Sequence, residues 1–174
     1  MPALAALETA GKLVVGSRRP LARVGIGIAI REGAPKPDIS TSDAPRKTLL
    51  AQQKITYSDS RTGGLSGINA QKVLDNLGIA EEIKSKVLPH ADGQGLIAKG
   101  EADLGLYNVS EIPRAKGVVL LGPVPAAVQA YITYDAGVPA SNASPSAAIE
   151  FLKFIASPAA ASSWQRAGLE LAGP

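Results

Sequence analysis

The residues best suited to chemistry lie in two short segments, Asp59 to Gly67 (DSRTGGLSG) and Leu104 to Glu111 (LGLYNVSE). In the first, Thr62, Gly63, Gly64, Ser66 and Gly67 stand between a strand-like stretch and a helix-like one. Glycines let backbone N–H groups converge, and a helix start adds the positive end of its dipole. The hydroxyls of Thr62 and Ser66 add neutral donors, so the segment could cradle a small anion. It is no P-loop, because no Gly-Lys-Ser/Thr follows the glycines, and no dinucleotide fingerprint, because Gly-x-Gly-x-x-Gly is absent. Taken alone, it reads more readily as an ordinary strand-to-helix turn capped by Ser66. Tyr107 and Asn108 end the strand of the second segment. Their amides and side chains could face the same crevice, but a core tyrosine and a turn asparagine are the plainer reading.

Acid–base and metal chemistry find little support. His90 is the only histidine. It could complete a triad with Ser66 and Asp59, yet Pro89-His90-Ala91-Asp92 reads as an exposed loop. The chain has no cysteine, which excludes disulfides, thiol catalysis and zinc–thiolate sites. Asp38, Asp43, Glu81 and Glu82 read as loop or helix-start charges. The expectation is therefore no catalytic residue, no metal and no cofactor.

Composition narrows the partners. The net charge is +3 without a Lys/Arg run, and aromatics are only 4%, which argues against nucleic acid. No apolar run reaches the roughly 20 residues of a membrane-spanning helix. The chain as written opens without the pattern of a signal peptide.

The elements that must position these residues alternate. RVGIGIAIR (Arg23 to Arg31) is the clearest strand, with Val24, Ile26, Ile28 and Ile30 on one face and small residues on the other. Further strands are expected at 54–58, 103–107, 118–121 and 128–134. Helices are expected at 2–12, after an N-cap at Ser42, and at 68–77, 81–87 and 94–99. More follow after Ser144-Pro145 and after Pro158, the last carrying Trp164. Strand–helix alternation predicts an α/β fold with a mainly parallel sheet flanked by helices, and ligands beyond the carboxyl ends of its strands.

RVGIGIAIREGAPKPDISTSDA, ITYSDSRTGGLSGINAQKVLDNLGI, IAKGEADLGLYNVSEI and SPSAAIEFLKFIASPAAASSW together resemble the molybdate-binding-like, type-2 periplasmic solute-binding family over nearly the whole chain. The resemblance implies two α/β lobes joined by crossover strands. Residues 1–22 would be a remnant of the first lobe, 23–134 the second lobe with both crossovers, and 135–174 helices returning to the first. A complete member would carry roughly 70 to 80 further residues at the start. The implied protein is periplasmic and delivers a small anion, such as a molybdate-like oxyanion, to an ABC transporter membrane permease without transforming it. The ligand contacts implied are Gly64, Ser66, Tyr107 or Asn108, and, where some members use a tyrosine, Ala130 or Tyr131. Self-association through an incomplete first lobe is expected. Alternatives are a dehydratase- or isomerase-like enzyme on the same fold, an organic-acid receptor with Arg61 turned inward, or a sensory module.

Overall fold

A computed structural model describes residues 2–59 and 64–173. The chain forms two compact units. Met1–Val24 with Thr133–Pro174 make one, and Gly25–Ile132 the other.

The 25–132 unit is built on a sheet of five strands in the order β3-β2-β4-β1-β5. These are β1 (Arg19–Arg31), β2 (Ile55–Tyr57), β3 (Val87–Pro89), β4 (Leu104–Asn108) and β5 (Val118–Pro123). β2 runs parallel to both neighbours, pairing Ile55 with Val87 and with Leu104. The crossing strand β1 enters antiparallel to β4 and β5, with Ile28 opposite Leu106 and Ile30 opposite Val119. The sheet is therefore parallel where strands follow helices and antiparallel at β1. Helices α2 (Ala44–Ala51), α3 (Leu65–Asn76) and α4 (Gly93–Lys99) complete the unit.

Both sheet faces are covered, which the alternation of β1 explains. Ile26, Ile28 and Ile30 join Leu104, Leu106 and Ile55 in a core with Val73 and Leu74 of α3. Ala29, on the opposite face, packs in a second core with Ile97, Ala102, Tyr107, Ile112 and Val118. Each fully buried Ile or Leu contributes about 1.5–3 kcal/mol. Gly27 is small for a stated reason: a Cβ there would stand 2.7 Å from Cδ1 of Leu120.

The other unit contains α1 (Pro2–Thr9), β6 (Tyr131–Ala136, which opens in the 25–132 unit), α5 (Pro145–Ile155), α6 (Ala161–Arg166) and β7 (Glu170–Leu171). Leu21, Ala22, Val138 and Leu152 are its core, with Ile149, Ile155 and Trp164 packed against them. β7 pairs with β1 at Ala22 and Arg23, and Trp164 Nε1 donates to the Ile155 carbonyl at 2.8 Å.

The expected α/β class holds, and several element boundaries move. The helix expected at 81–87 is a turn with a short 3₁₀ segment, Lys84–Lys86, because Val87–Pro89 pairs with β2. α3 begins at Leu65 rather than Ile68, and α2 is preceded by Asp43 rather than Ser42. β7 was not expected at all.

Candidate functional site

The carboxyl ends of β2 and β4 lie side by side, and the 25–132 unit gathers its polar side chains there. β4 divides its residues between two faces. Leu104 and Leu106 face α3, and Tyr107 joins the core that holds Ile97 of α4. Asn108, the next residue, returns to the α3 side, as the period of two requires.

On that side Ser66, in the first turn of α3, accepts a hydrogen bond from Asn108 N at 3.2 Å. Accepting it leaves the hydroxyl its own proton to donate. Gly64 is the N-cap of α3 and, having no side chain, supplies no cap to the first-turn amides. Asn108 Nδ2 donates to Glu111 Oε1 at 2.6 Å, and Glu111 N donates to the Asn108 carbonyl at 2.9 Å in the turn that follows β4. The short side-chain bond is that of a charge-assisted pair.

Among the described residues, two amide atoms beside this cluster are buried without a hydrogen-bond partner: Asn108 Oδ1 and Asn69 Nδ2. Both residues are only 4% exposed, and Asn69 lies one turn beyond Ser66 on the same face of α3. An unmet buried polar atom costs about 1–3 kcal/mol, so native structures keep few of them outside functional sites.

Tyr107 has a different environment. Thr56 Oγ1 donates to the Leu88 carbonyl at 2.8 Å, so across the 3.3 Å gap to Tyr107 it is the phenol that donates. Burial pushes the phenol up to about 12, aided by the negative charges of Asp92 and Glu111. Tyr107 is thus a neutral donor throughout the physiological range. Gly93, the first residue of α4, lies against it, and a Cβ there would overlap both the phenol oxygen and Thr56 Oγ1.

Tyr107 and Glu111 open on a cavity of about 350 Å³ lined also by Ser58, Asp92, Gly93 and Arg114, whereas Gly64, Ser66, Asn69 and Asn108 are not part of its lining. The volume suits a small ligand. A larger cavity, about 430 Å³, lies at the opposite edge of the sheet between Arg31, Lys36, Asp103 and Leu104. It sits at the amino ends of β2 and β4, away from the Ser66–Asn108–Glu111 cluster, and ligands of such sheets bind at the carboxyl ends.

The structure therefore brings Gly64, Ser66 and Asn108 together, with Tyr107 on the other face of the same strand. Tyr131 opens β6, is half-buried and engaged in an interaction of its own, and does not line the cavity. Arg61, Thr62 and Gly63 lie outside the described residues. His90 is exposed, its Nδ1 accepting from Asp92 N at 3.0 Å, while the Asp92 carboxylate caps α4 by accepting from Gly95 N at 3.1 Å. Sequence reasoning missed Glu111, Asn69 and Gln129. For Glu111 a signal existed, a carboxylate three residues past a strand-ending asparagine. Gln129 Oε1 accepts from Ile26 N at 2.7 Å and from Ala130 N at 3.0 Å, and its Nε2 donates to the carbonyls of Ile26 and Val124 at 2.9 and 3.1 Å.

Comparison with known proteins places this geometry in context. Residues 1–170 match a family described as bacterial extracellular solute-binding protein. Among curated proteins, the chain is 35% identical over 170 residues to an aconitate isomerase from Pseudomonas sp., covering 97% of this chain and 64% of that protein. The chain thus spans less than two thirds of that relative's length. Among solved structures, it is similar to the substrate-binding domain assigned to a molybdenum ABC transporter from Clostridium difficile, with TM-score 0.82 and 20% identity. That match covers 98% of this chain and 73% of the other. It is also similar to the periplasmic molybdate-binding protein of Azotobacter vinelandii, with TM-score 0.63 and 22% identity, covering 99% and 75%. The structural matches establish the fold.

The curated relative corrects one expectation. The chain was expected not to be an enzyme, and its 35%-identical relative is an isomerase. The sequence pointed to a catalytic base only at Asp59 and His90.

Proposed function

The chain belongs to the bacterial extracellular solute-binding protein family, and from that premise we propose that it holds a small unsaturated polycarboxylate and isomerises it. The observation that carries this reading is the 35% identity, over 170 residues, to an aconitate isomerase. The site geometry agrees with it. The Arg114 guanidinium on the cavity wall suits a substrate carboxylate, and the Tyr107 phenol, neutral in the physiological range, lines the same wall. A group able to move a proton, Glu111, lines the same cavity. Periplasmic location is part of the proposal and follows from the family.

A second reading keeps the site as a receptor for a molybdate-like oxyanion that serves an ABC permease. The molybdate-binding fold neighbours favour it. One experiment separates the two. The full chain is mixed with trans-aconitate, cis-aconitate, tricarballylate and molybdate, with binding followed by calorimetry and conversion by proton NMR. Interconversion of the aconitates supports the isomerase. Tight molybdate binding with no response to any carboxylate refutes it in favour of the receptor.

A further inference from the structure

We propose that Glu111 is the group that carries the proton during isomerisation, with Asn108 as its positioning residue; the inference rests on the isomerase reading above.

Several carboxylates and one imidazole lie at the carboxyl edge of the 25–132 unit. His90 Nδ1 is used in a turn with Asp92 N, and the Asp92 carboxylate is used as the cap of α4. Both residues are exposed. Asp59 is already engaged in an interaction of its own. Glu111 differs in three respects. It is half-buried on the wall of the 350 Å³ cavity beside Tyr107 and Arg114. One oxygen, Oε1, is held at 2.6 Å by a neutral amide, which orients the carboxylate without neutralising it and leaves Oε2 to act. Its holder, Asn108, is 4% exposed, is fixed through its own backbone to Ser66, and keeps an unmet carbonyl oxygen. A buried amide that gives its N–H to a carboxylate while its C=O waits for a donor is built for something beyond the resting fold.

The chemistry balances with one such group. In an unsaturated tricarboxylate, a methylene flanked by a carboxylate and a C=C bond is an allylic carbon acid. Glu111 Oε2 takes the proton. The C–H electron pair enters the π system, and its charge spreads onto the substrate carboxylates as a dienolate. The protonated Glu111, whose Oε2–H exchanges with solvent, then delivers a proton to the far carbon of the former double bond. The double bond has moved by one position across a three-carbon skeleton bearing a carboxyl on each carbon, so the constitution is unchanged and only the geometry differs. No oxidant, reductant or co-reactant is needed. The Arg114 guanidinium on the cavity wall stabilises the charge that develops on the carboxylates.

The test uses the full chain with trans-aconitate in D₂O, reading deuterium incorporation at the methylene and vinyl positions by NMR alongside calorimetric binding. Glu111→Gln should bind trans-aconitate at least as tightly as the wild type and lose exchange by roughly 100- to 10,000-fold, the range a general base supplies. Glu111→Asp, which keeps the charge and withdraws it by one methylene, should fall between the two and guards against a folding defect in the first variant. Asn108→Ala, which frees the carboxylate, should lower the exchange rate and shift its pH profile, which a purely structural role would not do. Exchange at the wild-type rate in Glu111→Gln or Glu111→Asp overturns the inference while leaving the isomerase reading intact. A wild-type chain that neither binds nor exchanges trans-aconitate overturns the isomerase reading itself.

Discussion

Gln129 offers the sharpest test of how this fold is held. Its carboxamide makes four hydrogen bonds to backbone, and Ile26, whose N–H it receives, is fully buried. The Ile26 carbonyl also accepts from Val124 N at 3.0 Å, so it keeps a partner if Gln129 is removed. The Ile26 N–H does not. Gln129→Ala therefore orphans one buried donor outright and weakens two further bonds, which amounts to about 3 kcal/mol. In a chain of this size that corresponds to a melting temperature lower by roughly 6–12 °C, and to about 100-fold less protection of the Ile26 amide from hydrogen exchange. Gln129→Glu should be worse than the alanine at neutral pH, because it sets a charged oxygen against the carbonyls of Ile26 and Val124. The gap should narrow in acid, when the carboxyl regains a proton to donate. Gly25 reports on the same contact: a Cβ there would stand 2.7 Å from Gln129 Cδ, so Gly25→Ala should be harmful in the wild type and tolerated beside Gln129→Ala. A Gln129→Ala protein that melts within about 2 °C of wild type, with Ile26 exchange unchanged, would refute the reasoning.

Three further outcomes follow from the site. A phenol whose folded pKa lies near 12, against the ordinary value of 10, favours the fold fully below about pH 10 and loses that contribution as pH rises to 12. Phenolate absorbance, wild type minus Tyr107→Phe, should show that group titrating near 12, and a midpoint near 10 would contradict its burial. Gly93→Ala should destabilise by about 1–3 kcal/mol through overlap with the Tyr107 and Thr56 oxygens, and Tyr107→Phe should relieve part of the loss in thermal melts of the double variant. Ser66→Ala should lower stability by about 1–3 kcal/mol by orphaning the buried Asn108 N–H, and an unchanged thermal melt would contradict that bond.

What the sequence made legible was whatever local pattern determines. The alternation of Gly25 to Ile30 announces a strand buried on both faces, and the structure extends it back to Arg19. That extension was invisible because its partner, Glu170–Leu171, is two residues long and carries no period. α3 starts a turn earlier than expected because Gly64 has no side chain to mark a cap, and Leu65 between glycines resembled loop. The turn at 81–86 carries helix-like charges, but pairing of Val87 with Ile55 decides the local structure. Ser66 and Asn108 could be nominated singly, by their places at a helix start and a strand end. Their meeting at 3.2 Å could not, because it joins residues 42 apart in the chain. Gln129 was silent for the same reason: its four bonds include two to Ile26, 103 residues away.

The position of Glu111 also bears on the choice between receptor and enzyme by magnitude. Were an anion to sit about 5 Å from this carboxylate, the repulsion at an effective dielectric near 20 would be about 3 kcal/mol for each ligand charge, or more than a hundredfold in affinity. Arg114 on the same wall offsets part of it, but it is exposed and therefore well screened. A receptor selected only to hold an oxyanion gains nothing from such a group, whereas a catalyst that must accept a proton from its ligand requires one. The two cases separate in a comparison of affinities at neutral pH. If Glu111 opposes the ligand's charge, Glu111→Gln should bind the non-reacting tricarboxylate tricarballylate more tightly than the wild type, by up to about a hundredfold. Equal affinities in the two proteins would mean that the ligand never approaches Glu111, and the case for proton transfer there would fail.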